Sequence, residues 1–410
     1  MVIGTVIKAL WRSRLGPLLL SAQVALSLMI FANVASVINA RLEATESPTG
    51  MNFADVFWIS SHGEGQDYDQ QSTVKFDLEY LRSLPGVIAA CVSNAIPQTR
   101  AGLRSLVSPN QDLKDNKREV FVYQSTNAIV DVLGLHLVRG RMFNPDTVLP
   151  APPSADVAHE AFGAEVVITE SLAKKIYGDG ARALGKPIYF SVLNGGSATV
   201  VGVVELMQAA PPLAPMDVVY DVVLAPAVPR GPNATYLVRT KSGLLDATMA
   251  RVWKEFEPLQ RGRLVDSMET LAATAAKSRL ADRTDAVILA ILSSLVLAVT
   301  MLGLFGFAAF AVTSRTKEIG TRRAIGARRT DIVKMFLLEN WLITTAGIIV
   351  GSVTTMAFSV QLHTLLELPP MPTAFLVASM GLIWAAGLLA ALIPALRGSA
   401  VPPAVATRVV

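Results

Sequence analysis

Gly180-Ala181-Arg182-Ala183-Leu184-Gly185-Lys186 has the spacing G-x-x-x-x-G-K. In a phosphate loop that spelling lets backbone amides cradle the phosphates while the lysine reaches their outer oxygens. Here Pro187 stands where a Ser or Thr hydroxyl is needed for magnesium, and the surrounding pattern runs from helix to strand, the reverse of a phosphate loop. Nucleotide chemistry is therefore not expected at this place. The four histidines, His62, His136, His159 and His363, lack metal-ligand spacing, and the single cysteine, Cys91, rules out a thiolate cluster or an internal disulfide. With neither a G-x-S-x-G elbow nor a local carboxylate pair, the chain carries no expectation of catalysis, and any ATP hydrolysis has to come from another chain.

The second chemically distinctive stretch is electrostatic. From Ser314 to Lys334 the chain crowds seven Lys and Arg residues together with Gly320, Gly326 and helix signals between two long apolar runs. Charge alone is open to two readings, a loop that merely sets topology or a docking surface. Gly326 is predicted to end a short helix, with Thr330 or Asp331 starting the next and Asp331 favourable at its positive dipole end.

These residues must be held by long helices. The chain has 410 residues, 52% of them hydrophobic and 17% charged, which is too apolar for soluble domains alone. Four charge-free runs carry the excess: Leu15–Ala40, Ala286–Ser314, Asn340–Leu366 and Leu368–Leu396. Each exceeds the roughly 20 residues that cross a bilayer as a helix. The first is too long for a signal-peptide core, and Ile38-Asn39-Ala40 is a poor cleavage site, so it reads as a retained span. Lys and Arg before the first span, in the 315–334 loop and after the fourth span place both termini and that loop in the cytoplasm, and the segment 41–285 outside. The net charge of +4 then reflects topology and implies no nucleic acid.

The expected organisation follows in order. Residues 1–14 form a cytoplasmic amphipathic segment or an extension of the first span, 15–40 the first span, and 41–265 an extracytoplasmic mixed α and β domain. A stalk helix at 266–285, with Met268, Leu271, Ala272 and Ala275 on one face, leads into the second span at 286–314. The basic cytoplasmic stretch occupies 315–334, the third span 337–363, the fourth 371–396 and a cytoplasmic tail 397–410. Strands are predicted at 55–60, 87–92, 120–123, 165–168, 188–192 and 199–204, helices at 76–84 and 170–177, and a polar loop from Gln98 to Lys117. Cys91 is expected to be a buried strand residue. Pro211–Pro215 and Pro226–Pro232 read as stiff loops. An unbroken helix from Asp266 through the second span would reach roughly 60 to 70 Å. Gln23, Ser27, Asn33, Ser293, Ser294, Thr300, Thr344, Thr345, Thr354 and Thr355 supply polar groups for helix packing. Gly347 and Gly351 form a G-x-x-x-G pair, suited to packing within the chain or to dimerisation. With no ionisable group at the centre of any span, an ion-driven carrier is disfavoured.

Arg315-Thr316-Lys317-Glu318-Ile319-Gly320, then Arg323-Ala324-Ile325-Gly326-Ala327-Arg328, Asp331-Ile332 and Phe336-Leu337-Leu338-Glu339 closely resemble the signature of the MacB/FtsX family of ABC-transporter permeases. Leu184-Gly185-Lys186 followed by a strand ending in Val200-Val201-Gly202-Val203-Val204 is similar to that family's outer domain. The resemblance implies a fold of four transmembrane helices with a large two-lobed α+β domain between helices 1 and 2, the inserted lobe spanning about 125–205. It implies a bacterial inner-membrane permease working by mechanotransmission, with two copies of an ABC ATPase that bind ATP and magnesium. A second permease, identical or homologous, would complete the machine, and a periplasmic adaptor and outer-membrane channel are further possible partners besides membrane lipids. Substrate classes in the family include drugs, peptides, siderophores and lipoproteins. An FtsX-like scaffold that controls an outer hydrolase is the alternative, and the size of the outer domain favours the MacB-like branch. The residues implied for ATPase coupling are Lys317, Glu318, Ile319, Gly320, Arg322, Arg323, Ala324, Ile325, Gly326, Ala327, Arg328 and Asp331. Within that set the charges would pair with the ATPase surface, while Ile319, Ala324 and Ile325 would fill an apolar groove there.

Overall fold

A computed structural model describes residues 15–65, 68–99, 102–113, 116–126, 128–144, 149–150, 164–191, 196–209, 218–228, 232–256, 262–366 and 371–400. The expected amphipathic segment 1–14, the 211–215 proline loop, most of the 192–195 turn region and residues 401–410 of the tail lie outside that set. The chain divides into two compact units, one formed by 42–283 and the other by 1–41 with 284–410.

The first unit is a mixed α and β domain. In order, its elements are β1 (Val56–Gly63), α2 (Gln70–Ser83), β2 (Val87–Ser93), β3 (Leu103–Ser108), β4 (Arg118–Ser125), α3 (Ile129–Leu133), β5 (Leu137–Gly140), β6 (Leu149–Pro150), β7 (Glu165–Thr169), α4 (Glu170–Tyr177), α5 (Gly180–Ala183), β8 (Pro187–Phe190), β9 (Gly196–Val204), β10 (Val222–Val228), β11 (Asn233–Thr240), α6 (Leu245–Phe256) and β12 (Arg263–Thr270). Preceding them is the helix α1 (Leu15–Glu46). Helix α2 starts at an Asp69 cap, whose carboxylate accepts from the Ser72 amide at 3.2 Å, so it is longer than the predicted 76–84.

The strands fall into two sets. In the first, β12, β1, β11 and β2 run side by side and antiparallel. Val56 and Trp58 face one core with Cys91, Leu237 and α3, whereas Phe57 and Ile59 face the other, with Tyr236, α2 and α6. Both faces are covered there, so the first half of β1, Val56-Phe57-Trp58-Ile59, reads as a continuous apolar run. Cys91 is fully buried in β2, as expected, and burial pushes its thiol up to about 12.

The second set closes on itself. β4 pairs with β3, β3 with β8, β8 with β9, β9 with β7, β7 with β10, and β10 returns to β4. Val107, Val122, Ile168, Phe190, Val200 and Val223 form the core of this six-stranded ring, with Leu172 and Ile176 of α4 packed against them. Among the described residues, only Ser93 with Ser125 joins the two sets in register. The inserted lobe therefore runs well beyond the expected 125–205, because β3, β4 and β10 bond to its strands on both sides. β3 also falls inside the stretch expected to be loop.

One buried ion pair stands out. Arg263 Nε donates to Asp77 Oδ2 at 2.7 Å and Nη2 to Oδ1 at 2.9 Å, and both side chains are 0% exposed. The guanidinium lies 3.8 Å over the Phe256 ring and also donates to the Phe256 carbonyl at 3.0 Å. The Tyr236 hydroxyl donates to the same carboxylate at 2.7 Å, and burial followed by the Asp77 charge pushes its pKa upward. These contacts tie α2 and β11 to the first residue of β12.

The stalk expectation needs correction. Asp266–Thr270 belong to strand β12, and the helix α7 begins at Leu271 and continues to Ser314. Pairing with β1 from Phe57↔Thr270 onward overrides, up to Thr270, the helix-like spacing of Met268, Leu271 and Ala275. Met268 is thus a half-buried strand residue, Leu271 and Ala275 are buried, and Ala272 is exposed. The buried face is completed by Thr274, whose hydroxyl accepts from Trp58 Nε1 at 2.7 Å. With 44 residues α7 is about 66 Å long, inside the expected reach.

The second unit holds α1, the rest of α7, α8 (Thr316–Ala324), α9 (Arg329–Leu366) and α10 (Thr373–Ser399). Among the described residues, four helices are long and apolar enough to cross a membrane, at Leu15–Asn39, Leu271–Ser314, Arg329–Gln361 and Thr373–Ser399. Between α1 and α7, Gln23 Nε2 donates to the Val299 carbonyl at 3.2 Å and Ser27 shares a 2.6 Å bond with Thr300. Trp384 Nε1 donates to Thr345 at 3.1 Å and Asn340 Nδ2 to the Gly387 carbonyl at 2.8 Å, joining α9 to α10. By contrast Asn33, Ser293, Ser294, Thr354 and Thr355 bond carbonyls of their own helix. Thr344 stays buried without a partner for its hydroxyl.

Gly347 and Gly351 resolve toward packing within the chain. A Cβ at Gly347 would stand 2.7 Å from the Ser21 carbonyl oxygen, and one at Gly351 would stand 2.9 Å from the Ala25 Cα, both on α1. Gly347→Leu is expected to destabilise the bundle by about 1–3 kcal/mol, through overpacking against backbone that has no room to yield. The thermal midpoint of the full chain in detergent reads this out, and an unchanged midpoint would show that α1 and α9 separate easily.

Candidate functional site

Between α7 and α9 the chain folds as a short clamped helix followed by a tight turn. α7 stops at Ser314, Arg315 adopts φ −109° and ψ 17°, and α8 then starts at Thr316. Arg315 is the one non-helical residue between the two helices. At the other end Gly326 has φ +107°, a conformation that favours glycine, so it ends the helix as expected. α9 starts at Arg329, and Asp331 Oδ2 accepts the Arg328 amide at 3.0 Å, bonding back to the helix start while it meets the positive dipole end. The helix that contains the expected third span accordingly starts before residue 337, at Arg329.

The twelve residues expected to couple to an ATPase separate by exposure into three groups. Lys317, Glu318, Arg322, Ala324, Ile325, Gly326, Arg328 and Asp331 are exposed. Glu318 pairs with Arg322 at 2.6 Å, one turn apart, and Arg322 Nη1 also lies 3.0 Å from the Met335 sulfur. Ile325 is 82% exposed, more than any other large hydrophobic side chain among the described residues. Arg323 and Ala327 are half-buried.

Ile319 and Gly320 are buried, which corrects the role expected for Ile319. Its side chain is 1% exposed and packs with Ala311, Ile332, Met335, Phe336 and Ala395, so it cannot fill a groove on another protein. It is the foot by which α8 stands on α7, α9 and α10.

Two residues of the family-like stretches that the expected coupling set does not include complete the arrangement. Arg315 Nη1 donates to Glu339 Oε2 at 2.8 Å and Nη2 to Oε1 at 3.1 Å, a two-pronged pairing between the α7–α8 junction and α9. Glu339 is 3% exposed and Arg315 25%. A lone carboxylate at the head of a long apolar run was the signal available for it, since such a charge needs a partner. Gly180–Lys186, in the first unit, forms the short α5 and leads into β8, the helix-to-strand order read from the sequence.

Comparison with known proteins covers both units. The family model for the MacB-like periplasmic core domain matches residues 22–255, and that for the FtsX-like permease C-terminal region matches 290–403. The macrolide export ATP-binding/permease protein MacB of Agrobacterium fabrum is 28% identical over 239 residues, which is 56% of this chain and 34% of that protein. That of Neisseria gonorrhoeae is 28% identical over 265 residues, 63% of this chain and 38% of its own length. The chain thus spans just over a third of the length of these relatives. The periplasmic region of MacB from Actinobacillus actinomycetemcomitans aligns over 56% of this chain and 94% of that chain at 15% identity, with a TM-score of 0.35. With a periplasmic-core match over more than half its length and a permease match over the helices that flank the basic segment, the chain belongs to the MacB/FtsX family of ABC-transporter permeases.

Proposed function

We propose that this chain is the transmembrane subunit of an inner-membrane ABC machine whose ATP and magnesium are bound by a separate ATPase, and that the tip of α8 is where that ATPase docks. The observation that carries the reading is Ile325, 82% exposed on a glycine-closed turn and flanked by Arg322 and Arg328. An apolar anchor within a charged rim is the usual make-up of an interface hot spot. Seven Lys and Arg residues from Arg315 to Lys334 favour a cytoplasmic location for this tip, and with it cytoplasmic termini. Two ATPase copies and a second permease would complete the assembly. Closure of the ATPases would move the tip, and α7, continuous from Leu271 to Ser314, would carry that movement to the extracytoplasmic domain, where substrate is exported or extracted. The MacB relatives carry macrolide export and ATP binding in their names, which makes efflux of a small molecule the first activity to assay.

Co-expression with an ABC ATPase tests the docking. Ile325→Asp is expected to lower the amount of copurified ATPase about tenfold or more while the permease's thermal midpoint stays unchanged. Retention of the ATPase at the wild-type level would remove the tip from the interface.

A further inference from the structure

Docking at an exposed tip is of use only if the tip cannot swing independently of the helices behind it. α8 has nine residues and is joined to α7 through a single non-helical residue, so backbone continuity alone leaves its direction free to turn about Arg315. Ile319 anchors its first turn in an apolar cluster, but apolar contacts are not directional and would tolerate rotation of α8 on that patch. The Arg315 fork removes this freedom. Two parallel bonds to both oxygens of Glu339 fix distance and angle together, which a single-point ammonium contact would not do.

Holding helices together does not explain the choice of groups. A well-packed apolar pair can stabilise such a junction as well as a buried ion pair, without the cost of desolvating two charges. What the charged fork adds is a defined orientation of α8 relative to α9 at the point where α7 breaks.

Resting on the docking reading above, we propose that Arg315 and Glu339 are positioning residues for coupling: their pairing makes α7, α8 and α9 move as one body when the tip is displaced. Neither residue need touch the ATPase. Arg315 is one-quarter exposed, and the Glu339 carboxylate is covered by the chain itself.

The full chain with its co-expressed ABC ATPase gives two separate readouts, the amount of ATPase retained on the permease and the permease-dependent rate of ATP hydrolysis. Arg315→Lys keeps the charge and loses the fork, and Glu339→Gln keeps the shape and loses the charge. Both are expected to retain the ATPase at the wild-type level while lowering the permease-dependent rate about tenfold, within the usual span of coupling between sites. Arg315→Glu combined with Glu339→Arg is expected to regain most of that rate. If Glu339→Gln fails to elute as a folded species, Arg315→Lys alone carries the comparison. The proposal is overturned if folded single variants hydrolyse ATP at the wild-type permease-dependent rate. It is also overturned if the lost rate merely follows lost ATPase binding. Failure of the unaltered chain to retain the ATPase would instead refute the docking reading, and the proposal would fall with it.

Discussion

Replacing Asp77 with alanine is expected to destabilise the extracytoplasmic domain by about 3–5 kcal/mol, the range for removing one partner of a buried ion pair. The Arg263 guanidinium is 0% exposed and gives two of its bonds to that carboxylate. With the carboxylate gone, the cation keeps only the Phe256 carbonyl and ring, and the Tyr236 hydroxyl loses its acceptor as well. Water cannot replace these partners without opening the core between α2, α6 and β12. Pulse proteolysis of the full chain in detergent across a urea series reads the midpoint of this domain. A loss below about 1 kcal/mol, the size expected of a surface pair, would show that water already reaches the site.

Ile319→Asp should be of comparable size in the other unit, at least about 3 kcal/mol, because it empties an apolar site and places a carboxylate there without a partner. Ile332, Met335 and Phe336 line the place where the new charge would stand. The informative comparison is with Ile325→Asp, six residues on, where the side chain is already in solvent and stability should change by less than about 0.5 kcal/mol. Differential scanning fluorimetry of the two variants side by side decides the matter. Equal midpoints would mean that α8 does not sit on the Ile332–Phe336 patch.

From charges and apolar spacing, Ile319 and Ile325 look alike, and this is where the sequence reading reached its limit. Both are branched apolar residues in one basic stretch, and only the fold puts the first over α9 and the second beyond the end of α8. The long apolar runs, by contrast, announce themselves locally, since a bilayer leaves a backbone few alternatives to helix. Helix α4 was legible to the residue at Glu170–Tyr177, closed by a glycine in the left-handed conformation at Gly178. β3 was hidden because Ser105 occupies an inward position between Leu103 and Val107, which breaks the apolar alternation. β12 was hidden for the opposite reason. Met268, Leu271 and Ala275 have helical spacing, and the demand of β1 for a second neighbour decides the outcome up to Thr270. Arg315 and Glu339 lie 24 positions apart, and nothing short-range connects them.

The pairing of β1 also bears on the order in which this protein can be made. Its two neighbours, β11 and β12, come from the last third of the domain, so the earliest strand to be synthesised waits with both edges unsatisfied until the ring strands have already passed. Because β12 leads into α7 with no residue between them, the final ladder can be zipped only as the next membrane helix emerges from the ribosome. Maturation of the outer domain and delivery of that helix to the bilayer are thereby neighbouring events in biogenesis, and a nascent chain that ends between β11 and β12 would present one edge of β1 as an open, sticky strand edge.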